Sequence, residues 1–184
     1  GTLTTLWRDD ERYVSSYLSA YEGYYLTGDG GYLDEDGYVF VMGRTDDVLN
    51  VAGHRLSTGS LEEALAGHPA VAECAVIGVS DALKGQVPRA LVVLKSGAAP
   101  QDAAGLEALR AELVQRVRDE VGAVASLRQV DVVDALPKTR SGKILRKTMR
   151  QIADGETPAV PSTIEDASVL DRLSGVLRGG ATHS

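Results

Sequence analysis

Between Asp9 and Tyr21 the residues Tyr13, Val14, Tyr17, Leu18 and Tyr21 recur at helical spacing, which predicts a short amphipathic helix. After Gly23 the pattern changes. YYLT and GYL read as short strands, Asp34 to Gly37 (DEDG) as a tight turn, and YVFVMG as the returning strand. So few strands do not make a stable sheet alone. Residues 1–45 are therefore expected to be the β-rich end of a larger preceding domain.

The next stretch, residues 48–154, reads as a compact unit. VLNV predicts a strand, and small polar residues from Ser57 to Ser60 cap a helix over LEEALAGH that Gly67 and Pro69 end. VAECAVIGV and PRALVVLK predict two more strands. A Gly/Ala/Pro loop then leads into a long helix with Leu106, Leu109, Leu113, Val117 and Val121 on one face. QVDVV predicts a last strand, LPKTRSGKI a polar loop, and Leu145, Met149 and Ile152 at i, i+4, i+7 a terminal helix. The order β-α-β-β-α-β-α predicts an α+β fold, a small sheet with packed helices. Residues 155–184, rich in Pro, Thr and Ala, predict an extended tail.

Composition narrows the function. The chain of 184 residues is 43% hydrophobic and 24% charged, an ordinary globular mixture. No apolar run reaches bilayer length, so no membrane association is expected. A net charge of -7 argues against nucleic acid as a partner. The single cysteine, Cys74, excludes an internal disulfide framework and fits a reducing, cytoplasmic compartment. His54, His68 and His183 show no metal-ligand spacing, so no protein-built metal site is expected. The chain has no initiator methionine and is expected to begin inside a larger reading frame.

Three segments carry chemistry. In TGD, Asp29 follows a predicted strand between Gly28 and Gly30; a carboxylate there can accept from two ribose hydroxyls, although Asp beside Gly also makes ordinary turns. In GRTDDVLNVAGHRL, Arg44 can reach a sugar or an anion, Asp46 and Asp47 mark a hinge or a solvated turn, and Arg55 is placed to meet a phosphate. Gly53 lets a thin ligand pass close to the backbone. In LPKTRSGKI, Lys143 can neutralise charge developing between a carboxylate and an α-phosphate. A Walker A loop is excluded, because Ile144 follows SGK and the leading glycine is missing. The basic residues Arg146, Lys147 and Arg150 occupy the polar face of the last helix without the interleaved aromatics of a nucleic-acid patch.

Taken together, TGD, DEDGY, GRTDDVLNVAGHRL and LPKTRSGKI resemble the C-terminal part of the AMP-forming acyl-CoA synthetases, members of the wider superfamily of adenylating enzymes. The short-chain group is most similar, and AGHRLSTGSLEEAL, HPAVAECAVIGV, DALKGQVP and PSTIEDASVL look more like propionyl-CoA than acetyl-CoA synthetase. The resemblance implies an acid-thiol ligase. ATP and a short carboxylate give an acyl-adenylate and pyrophosphate, and after a domain swing CoA gives the thioester and AMP. It implies that Asp29 and Arg44 hold the ribose, Arg55 contacts the nucleotide phosphate, Asp46 is the hinge and Lys143 serves adenylation only. Gly53 would line the pantetheine passage, and Arg118 would lie near the CoA 3′-phosphate. Ala52 and Ala123 depart from the family's usual Ser and Pro on the CoA side. Magnesium is expected to travel with ATP, without ligands from this chain. The missing N-terminal domain is the expected partner and would hold the acyl pocket, so this piece alone is expected to be inactive for the full reaction. Two alternatives stay open: another adenylate-forming ligase, or a binding module modified at Lys143 by a lysine acyltransferase and deacylase.

Overall fold

The computed structural model describes residues 2–179, without the side chains of residues 42, 43 and 46. The chain divides into two compact units, Gly1–Asp46 and Asp47–Ser184.

In the first unit α1 (Asp10–Tyr17) starts where the Asp9 carboxylate accepts from the Arg12 N–H at 3.3 Å. None of its residues is buried, and its apolar contact is a tyrosine group in which Tyr17 stacks on Tyr25 at 5.1 Å between ring centroids. The expected YYLT strand does not form, since the Leu26 N–H donates to the Tyr17 carbonyl at the end of α1 rather than to a neighbouring strand. β1 (Asp29–Leu33) and β2 (Val39–Arg44) make an antiparallel hairpin. Its DEDG turn is fixed by the Asp34 carboxylate, which accepts from the Asp36 and Tyr38 N–H groups.

The second unit is built on a five-stranded, mainly antiparallel sheet, in keeping with an α+β fold. β3 (Val48–Val51) and β4 (His54–Ser57) form a hairpin, and β5 (Val71–Asp81) pairs along the length of β6 (Gly85–Leu94). The other edge of β6 takes β3 at Gly85 and, from Arg89 to Val92, the parallel strand β7 (Gln129–Val132). β4 was not expected: four residues after a two-residue turn carry too little pattern to read as a strand.

Successive residues of the central strands face opposite sides, so both sides must be covered. Val76, Ala90 and Val92 enter one core with Leu61 and Leu65 of α2 (Thr58–Ala66) and Leu109, Leu113 and Val117 of α3 (Ala103–Glu120). Ala75, Ile77 and Leu91 enter the second core with Met149 and Ile152 of α4 (Arg146–Ala153). Strands buried on both faces read as continuous apolar runs, which is what AVIGV and ALVVL are.

The second core also corrects the expected extended tail. Ser168–Gly179 form a helix, α5, with Val169, Leu170, Leu173 and Leu177 buried. Arg89 of β6, only 3% exposed, donates to the carbonyls of Leu177 at 2.6 Å and Val176 at 2.7 Å, and to Asp131 at 2.7 Å. The tail is thus closed against the sheet by apolar burial and by a cation at a helix C-terminus.

Candidate functional site

The first unit presents Asp29 and Arg44 side by side. They face each other across the β1–β2 ladder, with Nη1 of Arg44 3.7 Å from Oδ1 of Asp29. The same Nη1 donates to the Thr27 carbonyl at 3.0 Å, and Thr45 closes the loop through its N–H and hydroxyl on the Gly28 carbonyl. Gly28 has a φ of +76°, which favours glycine, and a Cβ there would stand 2.9 Å from the Arg44 guanidinium and displace it. Both charged groups remain partly exposed. Asp46 is the middle residue of a short 3₁₀ turn, Thr45–Asp47, at the boundary of the two units; its side chain lies outside the described residues.

The second unit carries its candidate residues at two ends. At one end the β3–β4 turn has Ala52 at φ +50° and Gly53 at φ +85°, the two positive values of a type I′ hairpin. The Ala52 N–H donates to the Lys84 carbonyl at 2.9 Å, and Lys84 Nζ donates to Ser126 Oγ at 3.1 Å. Ser126 lines a cavity of ≈ 340 Å³ with Arg118, Gly122 and Arg128. Gly53 and Arg118 are therefore brought toward one region, with Lys84 as the link. In the β5–β6 turn that carries Lys84, the Asp81 carboxylate is held below its usual range, chiefly by the N–H groups of Lys84 and Leu83. Arg55 stands in β4 opposite Asn50, two residues from Gly53, exposed and without a hydrogen bond or ion pair among the described residues.

Lys143 lies at the other end. Its loop is a closed turn: Gly142 N–H donates to the Thr139 carbonyl, Thr139 N–H to the Lys143 carbonyl, and Lys143 N–H to Thr139 Oγ1. Gly142 takes the positive φ of +82° that the turn needs. The Lys143 side chain is exposed and finds no acid among the described residues. Lys138 beneath it is paired with Glu73 at 2.7 Å. Glu73 and Asp81 are eight residues apart on β5, so at the rise of an extended strand the two ends are separated by about 25 Å. The fold does not bring Lys143 together with Gly53 and Arg118.

Residues 60–143 match the family described as the AMP-binding enzyme C-terminal domain. The chain is 60% identical over 180 residues to an uncharacterized protein of Pseudomonas aeruginosa, covering 97% of this chain and 28% of that protein. It is 50% identical over 173 residues to the mitochondrial acyl-CoA synthetase short-chain family member B of Dictyostelium discoideum, covering 94% and 25%. Among solved structures, the amide bond synthetase McbA from Marinactinospora thermotolerans is 33% identical with a TM-score of 0.59, covering 82% of this chain and 28% of that one. The chain thus spans about a quarter of the length of the curated relatives it matches.

The AMP-binding enzyme C-terminal domain match includes Arg118 and ends on Lys143, while Asp29, Arg44, Gly53 and Arg55 lie before it. Sequence reasoning missed Arg146 and Glu62. Arg146 Nε donates to Glu62 Oε1 at 3.0 Å and Nη2 to Oε2 at 2.8 Å, and Nη1 lies 3.9 Å from Asp47. By its pattern alone Arg146 belongs to the polar face of the last helix. Its position three residues beyond Lys143 was the one available signal. Cys74 is half-buried beside them, with its thiol pushed up to about 11 by burial and then by the Glu62 charge.

Proposed function

We propose that the intact protein is an AMP-forming short-chain acyl-CoA synthetase and that this chain supplies its mobile C-terminal domain together with the nucleotide-facing hairpin before it. The observation that carries the reading is the separation of about 25 Å between the Lys143 loop and the Gly53–Arg118 end of one compact unit. Two chemistries at opposite ends serve one bound intermediate if the unit turns between them. A hinge at Asp46, where the two units divide, is the natural place for that turn.

In this scheme Asp29 accepts hydrogen bonds from the ribose hydroxyls and Arg44 completes the grip on the sugar. Arg55 faces phosphate. In the first step a carboxylate oxygen bonds to the α-phosphorus of ATP, the bond to the β-phosphate oxygen breaks, and pyrophosphate leaves. The Lys143 ammonium stabilises the charge that develops between the carboxylate and the α-phosphate. After the turn, the CoA thiol loses its proton to solvent, its sulfur bonds to the acyl carbon, the bond from that carbon to the phosphate oxygen breaks so that AMP leaves, and Gly53 and Arg118 border the CoA path. Closing the site protects the adenylate from water in the interval. No group of three candidate metal ligands occurs among the described residues. Magnesium is expected to travel with ATP, and no step is routed through it.

Propionate or acetate is the proposed acid and the cytoplasm the proposed compartment. The test is Lys143→Ala in the intact enzyme: carboxylate-dependent pyrophosphate exchange should be abolished while supplied acyl-adenylate is still converted to thioester. Equal loss in both half-reactions would remove the turning-domain account. The likeness to an amide bond synthetase favours a second reading, an adenylate-forming ligase with an amine acceptor. Product formation with CoA but not with amines rejects it. Lys143, exposed on its turn, is also accessible to acylation, and mass spectrometry of protein exposed to acyl-CoA tests that role.

A further inference from the structure

The Lys143 loop joins the fold through two arms, and they are held differently. The incoming arm is held by two backbone hydrogen bonds to the segment before α5, Arg140 N–H to the Thr163 carbonyl at 3.0 Å and Glu165 N–H to the Lys138 carbonyl at 2.9 Å, and by one ion pair, Lys138–Glu73, 28% and 45% exposed. Exposed pairs of this kind fix geometry weakly. The outgoing arm rests on Arg146, the first residue of α4, whose guanidinium forks onto both carboxylate oxygens of Glu62 in α2. Glu62 is itself fixed, because Oε1 also accepts the Val76 N–H of β5 at 2.8 Å. Burial opposes the charge on Arg146, but the bond to Glu62 and the charges of Glu62 and Asp47 outweigh it, and its pKa is raised. The remaining arm of the fork, Nη1, points to Asp47, the first residue after the division between the units.

A guanidinium held on two oxygens fixes direction as well as distance, which a single ammonium contact does not. We propose that Arg146 is a positioning residue. Its fork on Glu62 and its reach to Asp47 tie the hinge-proximal end of the unit and the Lys143 loop into one rigid lever, so that a turn at the hinge is delivered in full to the Lys143 ammonium. The inference rests on the reading that Lys143 acts in adenylation. Without the fork the loop still forms and keeps its backbone bonds to residues 163–165, but its direct tie to Glu62 and to Asp47 beside the hinge is lost.

The test uses the full-length enzyme with Arg146→Met, Arg146→Lys, Glu62→Gln, Lys143→Ala and the double variant Lys143→Ala/Arg146→Met. Pyrophosphate exchange, thioester formation from supplied acyl-adenylate and the unfolding temperature are measured for each. A misplacement near 1 Å is expected to cost roughly 10- to 100-fold in the kcat of exchange for Arg146→Met, with KM for ATP and thioester formation changed by less than about threefold. Arg146→Lys keeps the charge without the fork and should fall nearer to Met than to the parent. Glu62→Gln, which keeps one acceptor oxygen and the fold, should lie between. Because Arg146 acts through Lys143, whatever residual exchange Lys143→Ala retains should not fall further in the double variant. An Arg146→Met enzyme that loses both half-reactions together, a Lys variant equal to the parent, or additive losses in the double variant would each overturn the proposal. If Lys143→Ala itself failed to separate the half-reactions, the reading of Lys143 would fall first, and this inference with it.

Discussion

Replacing Arg89 by methionine should cost about 3–5 kcal/mol of stability, the usual consequence of removing one partner from a buried ion pair. The figure follows from what the guanidinium leaves behind. Asp131, with a side chain 14% exposed, keeps only the Gln129 amide at 3.2 Å. The Val176 and Leu177 carbonyls lose the cation that ends α5. Methionine fills most of the volume, so the loss is one of charge and hydrogen bonding rather than of a cavity. α5 itself should stay docked. Burial of Val169, Leu170, Leu173 and Leu177 is worth roughly 6–12 kcal/mol at 1.5–3 kcal/mol for each side chain, more than the pair contributes. For a unit of this size the midpoint of thermal unfolding should fall by roughly 10 °C or more. Circular dichroism of the 184-residue chain measures that midpoint. Adding Asp131→Asn should recover a good part of the loss, since an amide needs no counter-charge. A single variant within about 1 kcal/mol of the parent, or a double variant no better than the single one, would refute the claim that this buried ion pair adds to the stability of the unit.

Ending the chain after Glu165 removes α5 and with it Val169, Leu170, Leu173 and Leu177 from the second core; the truncated protein should unfold or aggregate, as read by light scattering and melting. Ala52→Asn should stabilise the β3–β4 turn by about 0.5–1 kcal/mol in denaturant titration, because asparagine tolerates the positive φ of a type I′ turn better than alanine does. Cys74 should react with iodoacetamide at pH 8 roughly 100-fold more slowly than an unperturbed thiol of pKa 9.0, given its rise to about 11. The sign of the linked stability is fixed by the same shift: the unfolded chain releases this proton first, so the contribution is complete below pH 9 and is lost as pH rises toward 11. Asp46→Pro, by restricting the backbone between the units, should slow at least one half-reaction of the intact enzyme; parent rates in both would remove Asp46 as the hinge.

What the sequence could and could not reveal divides along the range of the interactions. The helical faces of α3 and α4, the doubly buried β5 and β6 and the DEDG turn rest on contacts within a few residues or on burial alone, and periodicity reads both. Gly28, Gly53 and Gly142 could be singled out, although the backbone reason, a positive φ at each, needed the structure. α5 escaped for another reason. SVLDRLSG has helical spacing of its own, but the Pro- and Thr-rich stretch before it drew the eye to an extended tail, and nothing local shows that Arg89 waits on β6 to receive its C-terminus.

The same holds more sharply for Arg146. A charged residue on an amphipathic helix has the same local pattern whether it faces water or a carboxylate more than eighty residues away. Only the fold decides between those outcomes, because pairing requires α2 and α4 to approach one edge of β5 from opposite layers. A solvated arginine contributes little there. One forked onto a fixed glutamate, three residues from the lysine assigned to catalysis and within reach of the first residue past the hinge, transmits position. The motif that made Lys143 legible thus carried its own support three residues on, in a form that composition and spacing do not distinguish from an ordinary surface.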